Sequence, residues 1–120
     1  MSAPEIVPEW GLVGDHDATR TVFISPEGLR DRAFVEQVLT IVTAPFGRAN
    51  RVRVLIFDGR DATPRRLPMT DVQTLHLRAE YERDAGGRGE RFVWVSVVDR
   101  SASPPKLSRT EANLRPRRAG

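Results

Sequence analysis

"TDVQTLHLRAEYERD", Thr70 to Asp84, is the stretch whose reading decides the fold. It lies between two segments that read as strands, Arg51–Phe57 and Arg91–Val98. Thr70 or Asp71 has the short oxygen-bearing side chain that caps a helix N-terminus. Behind that cap, Met69, Val72, Leu75, His76 and Ala79 recur along one helical side. The spacing predicts a helix over about 70–84. Leu77 and Tyr81, four apart, fall on nearly the opposite side and offer a stripe for a protein partner. Read as a helix, the stretch makes the flanking strands parallel, because a crossover then joins them.

The segments upstream extend the same pattern. "TRTVFIS", Thr19–Ser25, is β-branched and aromatic and stops at Pro26, so it reads as a strand. A helix follows from about Leu29 or Arg30 to Ala44, with Phe34, Val35, Val38, Ile41 and Val42 on one face. Pro45 and Gly47 end it. Arg51–Phe57 begins by alternating and then turns continuously apolar at Leu55-Ile56-Phe57, as a strand covered on both faces does. The expected fold class is a small α/β domain, β-α-β-α-β, with a mainly parallel three-stranded sheet and two helices. It spans residues 19–99, after an N-terminal arm over 1–18 and before a disordered basic tail over 100–120. The tail, "RSASPPKLSRTEANLRPRRAG", has the low apolar content of chains that do not fold.

Bulk properties narrow the function classes. One hundred and twenty residues make one modest core. The absence of cysteine removes disulfides, thiolate catalysis and cysteine-ligated metals. The acidic N-terminus lacks a signal-peptide pattern, and no apolar run is as long as a membrane helix, which needs about 20 residues. A soluble, cytoplasmic protein is expected, with no membrane contact. The tail holds six basic residues and one acid, so residues 1–99 hold thirteen and fifteen. The basic balance therefore belongs to the tail, where a nucleic-acid contact through counterion release is one reading. No aromatic residue follows Trp94, so that contact would lack base stacking.

Candidate sites cluster after the first two strands. In a parallel sheet both emerge at the carboxyl edge, where ligands of open α/β sheets bind. Glu27, Asp31, Asp58 and Asp61 could converge there on magnesium, which takes hard oxygen ligands. Asp-Gly at Asp58-Gly59 is also a turn dipeptide in its own right. The same eleven-residue loop, Asp58–Pro68, carries Arg60, Arg65 and Arg66, whose guanidinium forks suit a carboxylate or phosphate. His16 between Asp15 and Asp17, and the "GGRG" turn, lack the spacing of a metal or phosphate site.

"EGLRD" after the first strand and "FDGRD" after a later one resemble the Toprim domain of primases and topoisomerases. The resemblance implies Glu27 as acid/base and Asp58 as a magnesium ligand for phosphodiester chemistry. The second aspartate of that family's D-x-D pair is replaced here by Arg60, and the pair is spaced D-x-x-D to Asp61.

Three functions follow as expectations. The first is a non-enzymatic binding or assembly module without a cofactor. Two helices leave strands that are apolar on both faces partly uncovered, so either the N-terminal arm or a second copy covers the remainder; the expectation is a module that self-associates and contacts a protein through Leu77 and Tyr81. The second is a magnesium-dependent phosphoryl-transfer or nucleic-acid-processing enzyme using Glu27, Asp58 and Asp61. The third is an anion or nucleotide site at Arg60, Arg65 and Arg66.

Overall fold

A computed structural model describes residues 7–47, 50–87 and 89–117. Residues 1–6 of the expected arm, Arg88 of the "GGRG" turn and residues 118–120 of the expected tail lie outside these. Six strands form one sheet in chain order: β1 (Trp10–His16), β2 (Thr19–Ile24), β3 (Val52–Phe57), β4 (Leu77–Arg83), β5 (Glu90–Asp99) and β6 (Lys106–Ala112). Only β2 and β3 run parallel; the other four neighbouring pairs are antiparallel. Among the described residues three α-helices accompany the sheet: α1 (Pro26–Leu29), α2 (Arg32–Thr43) and α3 (Asp71–Thr74). No helix among the described residues is long and apolar enough to cross a membrane.

The mainly parallel three-stranded fold is therefore corrected to a mixed, mostly antiparallel sheet. Residues 10–16 of the expected N-terminal arm form β1, paired with β2, and two further readings account for the rest of the change. The first is Thr70–Asp84. Its capping signal is real: Thr70 accepts from the Gln73 amide, and the Gln73 side chain accepts from the Thr70 amide. The helix stops after one turn, however, and the chain re-enters the sheet at Leu77. From Ala79 onward the residues alternate, with Ala79 and Tyr81 buried and Glu80 and Glu82 facing arginines. A register shift between Ile56 and Phe57 pairs Ala79 with Ile56 and Leu77 with Phe57, leaving Arg78 as the extra residue. This bulge puts Leu77 and Tyr81 on opposite faces of the sheet. Neither forms an exposed stripe; both are fully buried.

The second reading is the tail, expected to be disordered. Lys106–Ala112 pairs with β5, and Leu114 is buried in the main core. Beyond the strand the chain lies across α2. The Arg115 amide donates to Glu36 Oε2 at 3.3 Å, and the Arg117 amide to Thr40 Oγ1 at 2.6 Å. Arg32 donates to the Asn113 carbonyl.

Each sheet face has its own core. On one face α2 lays Val35, Val38, Leu39 and Val42 against Val22, Ile24, Val54, Ile56, Ala79, Tyr81 and Phe92. Each such aliphatic side chain contributes about 1.5–3 kcal/mol by leaving water. Ile41, expected on this face, is exposed, and Leu39 takes its place. On the other face Leu55, Phe57, Leu77, Val93 and Val95 pack with Met69 and Leu107. The long β3–α3 connection also folds over this face, where Thr63 and Pro64 are buried. The strands that read as apolar on both sides are thus covered from within the chain.

Candidate functional site

Because β2 and β3 are parallel, the segments that follow them leave the sheet at one edge. That edge carries α1, the 58–70 connection and α3. Three polar ties hold the connection in place, two to the sheet and one within the connection itself. The Thr21 hydroxyl donates to the Pro64 carbonyl at 2.5 Å, His16 Nε2 donates to the Arg65 carbonyl at 2.5 Å, and the Thr63 hydroxyl donates to the Gly59 carbonyl at 2.6 Å. Thr21 is fully buried, so the first tie satisfies a hydroxyl that would otherwise be stranded. A long loop is thereby made a fixed part of the fold.

Two grooves flank α3 at this edge. The first, about 640 Å³, is lined by Leu12, Val13, Arg60, Asp61, Thr63, Arg65 and Gln73. Arg60 lies over the Phe23 ring with its guanidinium carbon 5.1 Å from the centroid, a cation–π contact that limits where the fork can point. Arg65 takes its place from the backbone ties on either side of it. Arg60, Arg65 and Arg66 are all exposed, and of the three only Arg66 does not line the groove.

The arginines on or beside the strands behave differently. Arg51 and Arg53 reach Glu82, Arg53 and Arg109 reach Glu80, and Arg91 reaches Glu111, all between strands. Among the described residues neither Arg60 nor Arg65 forms an ion pair. Asp61 lines their groove, so two positive charges and one negative face it.

The second groove, about 370 Å³, lies beside β5 and includes His76, Arg78, Ser96 and Arg100. Here Asp58 is engaged at both oxygens. Its Oδ1 accepts from His76 Nδ1 at 2.8 Å, and its Oδ2 pairs with Arg78 Nε at 2.9 Å. The Asp58 amide also donates to the His76 carbonyl at 3.0 Å. Sequence spacing placed His76 along a helix side and left Arg78 unremarked. The only sequence signal for the trio is an aspartate at a strand end, which does not indicate its partners.

The acidic residues expected to hold magnesium are used otherwise. Asp58 neutralises Arg78. Glu27 stands in the first turn of α1, where the helix dipole favours a negative charge, and Asp31 caps α2 by accepting from the Phe34 amide at 3.2 Å. Asp61 faces the first groove. Among the described residues no three His, Asp or Glu side chains gather as a metal site. A divalent cation at Asp58 would have to displace a guanidinium, so this donor set does not fit magnesium. No family model, no curated protein and no solved structure matches the chain.

Proposed function

We propose that the protein is a small non-enzymatic binding module that takes an oxyanion, a phosphate or carboxylate, in the Arg60–Arg65 groove. The observation that carries this reading is the contrast among the arginines. Those on the sheet face are matched by glutamates, whereas Arg60 and Arg65 face a common groove without an ion-pair partner among the described residues. A guanidinium so placed offers several donors to one planar acceptor. Phe23 and the tied loop hold the groove in shape, which lowers the ordering cost of binding. Gln73 adds an amide group along the wall.

Thermal unfolding with and without phosphate tests the reading. At ten times its dissociation constant a ligand stabilises the fold by about 1.4 kcal/mol, which raises the midpoint on the order of 5 °C in a domain of this size. Arg60→Ala combined with Arg65→Ala removes that rise. An equal rise in the double variant would end the proposal.

A further inference from the structure

We infer that the His76–Arg100 groove binds a small hydroxy acid, with a hydroxyl on His76 Nε2 and the adjoining carboxylate on Arg100. This groove shares no lining residue with the Arg60–Arg65 groove. Its chemistry follows from Asp58. An ionised carboxylate only accepts hydrogen bonds, so the hydrogen between Asp58 Oδ1 and His76 lies on Nδ1. In the neutral imidazole the second nitrogen, Nε2, then carries a lone pair. Nδ1 is taken up by Asp58, no hydrogen bond among the described residues uses Nε2, and the side chain is 42% exposed.

Arg78 fixes this arrangement. Its Nε pairs with Asp58, and its Nη1 donates to the Leu75 and Leu77 carbonyls at 3.0 Å each. Arg100 lines the same groove and has no ion-pair partner among the described residues, and no carboxylate lines it. Val95 and Val97 give it an apolar wall. A bare anion would meet the Nε2 lone pair unfavourably. An anion bearing a neighbouring O–H satisfies both groups, the O–H on Nε2 and the charge on Arg100. The volume of about 370 Å³ is in the range of small-molecule sites.

The test is an NMR titration of the 120-residue chain at about pH 8, with the His76 tautomer read directly from its ring nitrogens. Glycolate is compared with acetate, which carries the same charge without the hydroxyl. Glycolate is expected to shift the His76 ring nitrogens and the Ser96 and Arg100 amides saturably, and to bind about tenfold more tightly than acetate, as one hydrogen bond allows. His76→Phe should abolish the difference between the two acids. Arg100→Ala, at an exposed position, should weaken both severalfold. Equal affinity for the two acids, or no saturable shift at these residues, would overturn the inference. Shifts confined to Arg60 and Arg65 would also overturn it, while leaving the oxyanion reading of that first groove standing.

Discussion

The Tyr81 hydroxyl donates to Glu90 Oε2 at 2.5 Å, joining β4 to β5. Arg115, past the end of β6, reaches the other oxygen of the same carboxylate, Nε to Oε1 at 3.3 Å. Tyr81 is fully buried, and burial followed by the Glu90 hydrogen bond and charge pushes its phenol above the ordinary range. A raised value in the folded state means that the unfolded chain loses this proton first. The contribution of Tyr81 to stability is whole below about pH 10 and falls as pH rises above it. Tyr81 is the only tyrosine, so tyrosinate absorbance reports on it alone. No tyrosinate signal is expected until the protein unfolds, and Tyr81→Phe should flatten the alkaline loss of stability. A smooth titration near pH 10 with the fold intact would contradict the buried pairing.

The C-terminal segment is structural, and its removal should show it. Leu114→Ala leaves a hole where β6 meets the main core and is expected to cost about 2–5 kcal/mol in urea denaturation. Cutting the chain after Asp99 removes β6 and Leu114 together and should abolish cooperative unfolding. A truncated chain with the unfolding midpoint of the full chain would refute this role.

Glu80 is the hub of the ion pairs on the Leu55 side of the sheet. Arg109 meets it through two contacts of 3.2 Å and Arg53 through one of 3.9 Å. The arginine side chains are about two-fifths exposed, which screens the pairs. Glu80→Ala is expected to cost about 1 kcal/mol, and added salt should shrink the difference from the parent chain. A loss insensitive to salt would point to packing instead.

What could be read from the sequence divides along a physical line. Thr19–Ser25, Arg51–Phe57, Arg91–Val98 and the helix ending near Ala44 were legible, because each carries its own local signal, a β-branched or continuous apolar run for the strands and an apolar face for the helix. β4 was not. The bulge at Arg78 breaks its alternation, and Leu77 and Tyr81 at a spacing of four then imitate a helix. β6 has little apolar signal of its own, and β5 supplies its pairing partner. The arginines of the 58–68 loop stood out as a group, yet only the fold separates Arg60 and Arg65 from Arg66. The Asp58–His76–Arg78 cluster depends on the β3–β4 pairing and was invisible while residues 70–84 read as a helix.

Gly14 links the sheet to the proposed oxyanion groove. A Cβ there would stand 2.4 Å from Thr21 Oγ1 and 2.9 Å from the Pro64 carbonyl oxygen, the two ends of the hydrogen bond that ties the loop to β2. It would also lie 3.1 Å from the Arg65 carbonyl oxygen. Two of these three atoms are backbone and cannot rotate away, so Gly14→Ala must displace the loop that carries Arg65. The expected cost is about 1–3 kcal/mol of stability, as for other overpacked sites. Phosphate-dependent stabilisation should fall with it, although no arginine has been touched. Arg66→Ala is the control, since Arg66 lies in the same loop outside the groove, and it should leave that stabilisation unchanged. If Gly14→Ala kept the full phosphate response while Arg66→Ala lost it, the anion would be held by the loop's exposed charge. The groove shaped by Phe23, Thr21 and the β1 strand would then have no part in binding.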